Sequence, residues 1–231
     1  KAAAVCLTYE HTLASVPDRA RARVTGNPVR SSVLAARRED GRAMLNIPQD
    51  ARMLLVFGGS LGARHINEAV CALKADLLSR PDLHVVHITG PKELDRVQEA
   101  LALDAEEETR WHLMGYQDRM GETLAAADAI VSRAGATSLA EISARAIPAL
   151  LVPFPFATED HQTTNARAYV DAGCAYMMAD DALGEPEFAE KVFALVDDAA
   201  VRASMSEAAR AQKTADAAAI LADVVMGAAR G

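Results

Sequence analysis

Short apolar segments alternate with segments of helical periodicity along most of this sequence, and that alternation restricts its fold more than any other feature. Six apolar segments have the length of β-strands: 53–57, 84–88, 111–114, 129–131, 149–152 and 175–178. Between them, apolar residues recur at intervals of three and four in 63–78, 91–101, 120–127, 138–146 and 161–172. The alternation predicts an α/β fold, in which a parallel sheet is covered by helices on both faces.

The pattern changes at both ends of the chain. After residue 180 the strand-like segments stop, and 185–230 is alanine-rich with helical periodicity. Residues 1–9 have the pattern of a strand, and an irregular stretch follows them. Because the first residue is not Met, we expect the chain to be cut from a longer one. The domains that this predicts are the end of a missing N-terminal domain with its linker (1–25), a ligand-binding domain (26–184) and C-terminal helices that pack on it (185–231).

Charge and cysteine content exclude several kinds of partner. The sequence has 24 Lys and Arg against 32 Asp and Glu, a net charge of −8, and an acidic chain repels a phosphodiester backbone. We therefore expect no nucleic-acid partner. Cys6, Cys71 and Cys174 are odd in number and far apart, which suits neither a disulfide framework nor a zinc site. We expect them to be small core residues in a reducing compartment.

A glycine-rich loop follows the first strand of the main pattern. In a parallel sheet, ligands bind where strands end and helices begin, so this loop is a candidate site. Its sequence is Gly58-Gly59-Ser60-Leu61-Gly62-Ala63, in which glycine lets the backbone approach an anion and Ser60 offers a hydroxyl. The loop suits a diphosphate. A tight turn that needs glycine for positive φ explains the glycines equally well.

The same loop also matches the Gly-x-Ser-x-Gly pattern of serine hydrolases, with Asp160-His161 downstream. No His-Gly-Gly-Gly segment precedes it, and adjacent Asp and His residues at one helix start are poorly placed to bond each other. A hydrolase that uses Ser60 therefore ranks below nucleotide binding.

A second glycine turn, beginning at Arg133-Ala134-Gly135, follows the strand at 129–131. Downstream of it, Ser138 and Glu141 have the spacing of a capping box, in which the glutamate reaches back to the N-cap amide. The functional alternative is that Glu141 accepts both hydroxyls of a ribose. The sequence slightly favours the cap.

Two further segments carry candidate polar groups. Asp160-His161-Gln162 opens a helix after the strand at 149–152, where amides and hydroxyls could read sugar hydroxyls, or Asp160 could simply be an N-cap. Gly26-Asn27-Pro28-Val29-Arg30 places a cation beside a rigid turn, where it could meet a diphosphate or be an ordinary surface arginine.

These four segments, in this order and spacing, resemble the MurG family of peptidoglycan N-acetylglucosaminyltransferases. The likeness extends from residue 1 to about 179. The resemblance implies the GT-B fold, which has two Rossmann-like halves facing across a cleft. This chain would be the C-terminal half, which binds the donor. The alternatives are another GT-B glycosyltransferase or a sugar-nucleotide epimerase of the same fold.

The resemblance also implies an activity. The parent enzyme transfers N-acetylglucosamine from UDP-N-acetylglucosamine (UDP-GlcNAc) to undecaprenyl-diphosphate-linked muramyl-pentapeptide (lipid I), with inversion, and forms lipid II. That activity belongs to peptidoglycan and cell-wall synthesis, and thereby to cell shape and division. The full-length protein would be peripheral on the cytoplasmic face of the bacterial inner membrane.

Site residues follow from the resemblance one by one. Arg30 and Ser60 would hold the diphosphate, Glu141 the ribose diol, and Gln162 with His161 the donor sugar. Gln117 aligns with a position whose backbone faces uracil. The turn that wraps phosphate and nucleotide comprises Arg133, Gly135, Ala136, Thr137, Ser138 and Leu139.

The family's N-terminal half has no counterpart in this sequence. That half carries a glycine-rich loop with a histidine, the candidate general base, and the apolar surface that meets the membrane. We therefore expect this chain to bind the donor and to be inactive alone, with no catalytic residue of its own and with neither a metal nor another cofactor. The lipid acceptor and the membrane would be contacted only through the full-length protein.

Overall fold

The computed structural model of the chain describes residues 2–59, 63–156, 161–212 and 216–229. At its start, β1 (Val5–Leu7) and β2 (Ala22–Val24) pair in parallel as a small sheet of their own. Two 3-10 helices, Glu10–Ser15 and Arg19–Arg21, connect them. The sequence predicted an irregular stretch here, but part of it is β2, which gives β1 a partner within the chain.

Six parallel strands form the main sheet, as the alternation predicted. They are β3 (Arg52–Phe57), β4 (Leu83–Ile88), β5 (Trp111–Met114), β6 (Ala129–Ser132), β7 (Ala149–Leu151) and β8 (Ala175–Met177). Their order in the sheet is β5-β4-β3-β6-β7-β8. This is the order of a doubly wound, Rossmann-like fold, whose first strand lies at the centre and whose two halves extend in opposite directions.

Helices cover both faces of the sheet. They are α1 (Ser31–Ala35), α2 (Arg38–Met44), α3 (Arg64–Ala72), α4 (Lys74–Leu78), α5 (Leu94–Leu101), α6 (Met120–Ala126), α7 (Ala136–Arg145), α8 (His161–Asp171), α9 (Pro186–Asp197), α10 (Ala199–Ala211) and α11 (Ala217–Ala229). The single helix predicted at 63–78 is two, α3 and α4, which meet at Leu73. Asp198 caps α10 by accepting from the amides of Ala200 and Val201.

The core has two layers, because side chains alternate along each buried strand. In β3, Leu54 and Val56 point into the layer beneath α3, α5 and α9. Met53 and Leu55 point into the opposite layer, beneath α6, α7 and α8. The strands are therefore mostly apolar in sequence, since helices cover both faces of the sheet.

Cysteines do not share one environment, contrary to the prediction. Cys174 is buried, Cys71 is partly buried and Cys6 is exposed. Burial raises the pKa of Cys71 to about 11, which keeps this side chain a neutral thiol.

A partly buried ion-pair network joins the amino ends of β3 and β6. Asp128 accepts from Arg42 Nη2 at 2.7 Å, from Arg38 Nη2 at 2.6 Å and from the amide of Met53 at 2.8 Å. The Arg42 side chain is fully buried and also donates to the carbonyls of Pro48 and Ala51. The network ties α2 to the amino ends of the strands, at the end of the sheet opposite their carboxyl ends.

Among the described residues, no helix combines the length and the apolar character that crossing a membrane requires.

Candidate functional site

The crevice between β3 and β6 is where the topology places a ligand. These strands are neighbours, with Phe57 level with Ser132. The chain leaves β3 for α3 on one face of the sheet and leaves β6 for α7 on the other. Such a divergence opens a crevice at the carboxyl ends of the two strands, which is the usual binding position in open α/β sheets. Both glycine turns singled out in the sequence lie at this point.

In the first turn, Gly59 has φ of +87°, so the positive φ that the structural alternative required is present. Ser60, Leu61 and Gly62 lie outside the described residues. The prediction that Ser60 contacts a diphosphate, and the rival hydrolase prediction, both fall there. Asp160, the hydrolase hypothesis's acid, is outside them too.

In the second turn, Gly135 is the N-cap of α7, with φ of −63° and ψ of 140°. Any residue can adopt this conformation, and a Cβ placed here would meet open space. Neither conformation nor packing therefore requires glycine. The first amides of α7, those of Ala136, Thr137 and Ser138, lack an intrahelical acceptor, and Gly135 offers no side chain to cap them.

The capping-box interpretation of Ser138 and Glu141 is wrong. The helix begins at Ala136, so Ser138 is its third residue and Glu141 lies one turn further along, where it cannot reach the N-cap amide. Gly135 has no side chain to cap with, and its extended backbone starts the helix earlier than the box requires. Glu141 is thus left to another partner.

That partner is Arg30. Arg30 Nε donates to Glu141 Oε1 at 3.0 Å, and Nη2 lies 2.9 Å from the same oxygen. The glutamate side chain is 8% exposed and the arginine side chain 58%. A buried carboxylate needs such a counter-charge. Two residues that were predicted to bind one ligand, and that lie 111 positions apart, therefore touch each other at the start of α1 and on the second turn of α7.

Arg133 is held by protein groups. One of its terminal nitrogens lies 2.5 Å from Asp180 Oδ1 and donates to the carbonyls of Val152 and Pro153 at 3.3 and 3.1 Å. Its guanidinium also lies over the ring of Phe154, and only 11% of the side chain is exposed. The structure therefore places Arg133 as a tie between the loops after β6 and β7.

Gln162 and His161 open α8 beside the same loops. Gln162 Oε1 accepts from the amide of Phe154 at 3.0 Å. His161 is exposed. Leu139, by contrast, is 3% exposed and packs in the core, so only its backbone could face a ligand.

Gln117 follows β5 at the edge of the sheet, and β4 separates β5 from β3. Its Oε1 accepts from the amide of Arg119 at 2.9 Å, which fixes a turn. Among the described candidates, Arg30, Arg133, Gln162 and the first turns of α7 are linked through adjacent loops, and Gln117 lies apart from them.

Two polar groups near the crevice were not found in the sequence. Asp180 is 5% exposed and binds both Arg133 and His65 Nδ1. Asn67 of α3 donates to the carbonyl of Thr89 and accepts from His87 Nε2, each at 3.0 Å. Asp180 follows β8, so the rule that ligands bind after strands could have identified it.

His87 is a packed strand residue of β4. It is fully buried, and burial lowers its pKa to about 3, so it is neutral at physiological pH. Through Asn67 it ties the carboxyl end of β4 to α3.

Within the residues that the structure describes, no three His, Cys, Asp or Glu side chains are grouped to hold a metal ion.

Comparison with known families gives one matching model, that of the glycosyltransferase family 28 C-terminal domain, over residues 53–221.

Several similar proteins carry the name UDP-N-acetylglucosamine--N-acetylmuramyl-(pentapeptide) pyrophosphoryl-undecaprenol N-acetylglucosamine transferase. The protein of Salinibacter ruber is 41% identical over 88% of this chain and 54% of its own length. That of Halothermothrix orenii is 36% identical over 84% of this chain and 54% of its own. That of Symbiobacterium thermophilum is 38% identical over 99% and 60%. The chain thus spans a little over half the length of these relatives.

Solved structures share the fold. MurG of Acinetobacter baumannii has a TM-score of 0.68 at 24% identity, with 89% of this chain and 57% of that chain covered. A glycosyltransferase of kitacinnamycin has a TM-score of 0.69 at 19% identity, with 98% and 55% covered.

Proposed function

The chain belongs to the glycosyltransferase family 28 C-terminal domain family, and from that premise we propose that it is the donor-binding portion of a glycosyltransferase. The enzyme as a whole would transfer N-acetylglucosamine from UDP-GlcNAc to lipid I, with inversion, and so form lipid II for peptidoglycan. The names of the relatives with 36–41% identity support this activity.

One observation carries the proposal. At the crevice between β3 and β6, a buried carboxylate and a half-exposed arginine lie next to a helix start whose N-cap has no side chain. This combination suits a nucleoside diphosphate, because the ribose diol needs an acceptor and the diphosphate needs donors and positive charge.

Different residues would bind the diphosphate, the ribose, the sugar and the uracil of the donor. The amides at residues 136–138 and the Arg30 guanidinium would hold the diphosphate, together with Ser60. Glu141 would accept from the ribose hydroxyls. Gln162 and His161 would read the sugar, and the backbone at Gln117 would face uracil. As the sugar leaves, negative charge grows on the diphosphate, and Arg30 and the positive end of α7 would stabilise it.

Other parts of the reaction fall outside this chain. We propose that residues 26–184 bind the donor, that 185–231 pack on them, and that an N-terminal half supplies the general base and the lipid site. The full-length protein would then sit on the cytoplasmic face of the membrane as a peripheral protein.

Calorimetry with UDP-GlcNAc tests the proposal on this chain. We expect saturable binding that weakens at least about tenfold in Glu141→Ala, since a lost hydrogen bond to a charged group costs about 1.5–3 kcal/mol. Glu99→Ala is the matched control, because Glu99 is an exposed helical glutamate on α5.

Equal binding by the wild type and Glu141→Ala would remove Glu141 from the site. Absence of binding to UDP-GlcNAc and to UDP would contradict the proposed function, and preference for UDP-glucose would favour another glycosyltransferase of this fold.

A further inference from the structure

The carboxylate of Asp180 links the start of α3 to the loop that precedes α7. It lies after β8, in the 3-10 helix Asp180–Ala182. One oxygen binds Nδ1 of His65, the second residue of α3, which follows the first glycine turn. The other oxygen, Oδ1, forms an ion pair with Arg133 at 2.5 Å, an alignment that makes no hydrogen bond, and Arg133 begins the second turn. The Asp180 side chain therefore contacts one nitrogen-containing side chain on each side of the crevice, the imidazole of His65 and the guanidinium of Arg133.

Burial makes this contact hard to replace. The Asp180 side chain is 5% exposed and that of Arg133 is 11% exposed, so neither group finds much water if its partner is lost. The carbonyls of Val152 and Pro153 fix the same nitrogen of Arg133. The direction of the Arg133 backbone, and with it the position of Gly135 two residues later, is thereby set from the side chain.

His65 extends the link to α3. Its side chain is 58% exposed, and the bond from Nδ1 to the buried carboxylate orients the ring at the helix start. Asn67, two residues on, anchors the same helix to β4. The start of α3 is thus held on one side by Asp180 and on the other by the carbonyl of Thr89.

We infer that Asp180 is a positioning residue that sets the spacing between the start of α3 and the loop before α7 for the diphosphate of the donor. The inference rests on the proposed function and adds a residue to it. Asp180 acts through Arg133 and His65 and does not itself touch the ligand. Its loss should weaken binding of the diphosphate more than binding of the nucleoside, because the ribose acceptor Glu141 is held independently by Arg30.

The test compares UDP with uridine in Asp180→Asn and in Asp181→Asn. Asp181 is the adjacent carboxylate in the same 3-10 helix and is exposed, which makes it the matched control. In Asp180→Asn we expect UDP to bind about tenfold more weakly, with uridine affinity changed less than about twofold. Asp181→Asn should match the wild type for both ligands.

A purely structural role would lower the melting temperature without separating the two ligands, and that result would overturn the inference. Should Asp180→Asn fail to fold, His65→Ala removes one arm of the link at a half-exposed position. The same selective loss for UDP is then expected, and equal UDP affinity in His65→Ala would count against the link. If the wild type binds UDP and Asp180→Asn binds it equally well, only the inference fails. If the wild type does not bind UDP, the proposed function fails first.

Discussion

Substitution of Gly135 should affect the stability of the fold and the binding of UDP differently. Its φ of −63° suits alanine, and an added Cβ would contact nothing within the described residues. We expect Gly135→Ala to change the free energy of unfolding by less than about 0.5 kcal/mol, because the lower freedom of alanine in the unfolded chain is offset by its poor preference for the N-cap position. The methyl group would nevertheless stand where the diphosphate is proposed to lie. UDP should therefore bind about tenfold more weakly in calorimetry.

Gly184 gives the matched control, since a Cβ there also meets open space and its φ is not positive. Gly184→Ala should bind UDP like the wild type. If Gly135→Ala also binds UDP normally, the open space at Gly135 is not part of the site.

At this scale the sequence identified individual groups and missed their partners. Arg30 and Glu141 were each found from local patterns, but a bond across 111 positions has no local signal. Asp180 sits in a short run of small and acidic residues that resembles an ordinary helix start, so its burial could be learned only from the fold. The capping box failed because the helix started two residues before the residue that was to cap it.

The close crossing of α2 and α6 is sensitive to substitution. A Cβ on Gly41 would lie 2.1 Å from the carbonyl oxygen of Glu122 and 3.1 Å from Cβ of Ala126. Backbone cannot yield like a flexible side chain, so the helices would have to move apart. We expect Gly41→Ala to lower the free energy of unfolding by about 1–3 kcal/mol in urea titrations.

Gly227 on α11 is the helical control, because its Cβ would meet nothing. Gly227→Ala should leave stability unchanged or raise it by up to about 1 kcal/mol, as helix propensity predicts. Equal effects in both variants would show that the α2–α6 contact is looser than described.

Strands and long helices were predictable because burial imposes a clear pattern on them. All six strands of the main sheet appear within one residue of the predicted segments, since each is apolar on both faces. The short helices α1 and α2 were missed. In α2, Gly41 and charged residues hide the helical pattern, and the glycine is there for the crossing with α6.

In the whole molecule, the carboxyl ends and the amino ends of the strands have different roles. The candidate site lies at the carboxyl ends of the strands, and the Asp128 network lies at the amino ends. Asp128→Ala would leave the fully buried Arg42 without its counter-charge, so we expect a loss of about 3–5 kcal/mol in the free energy of unfolding. UDP affinity of the protein that remains folded should stay within about twofold.

Asp95→Ala is the control for this variant, since Asp95 is an exposed aspartate on α5. A large loss of UDP affinity in folded Asp128→Ala would contradict the claim that the amino ends of the strands serve stability and the carboxyl ends serve binding.

Buried histidines should make the whole fold sensitive to acid. Burial lowers the pKa of His87 to about 3, and burial and the neighbouring His84 lower that of His112 to about 4. Both values lie below the unfolded value of about 6.5, so the unfolded chain binds protons that the folded chain does not. The stability that these groups contribute is complete above pH 6.5 or so and decreases as the pH falls toward 4.

Urea titrations at several pH values test this dependence. Each such histidine contributes up to about 1.4 kcal/mol per pH unit to the slope, so His112→Gln should flatten it by that amount. An unchanged slope in His112→Gln would show that the imidazole is not held neutral by the fold.

The crossovers that leave β3 and β6 on opposite faces have a consequence for how such proteins diverge. The opening between these strands is created by the order in which the chain visits the sheet, and no particular side chain is needed to produce it. Substitutions can therefore alter the preferred compound, whereas abolishing the recess would require a different path of the backbone. The crevice is therefore retained with the topology during evolution, whereas the side chains that line it are free to change.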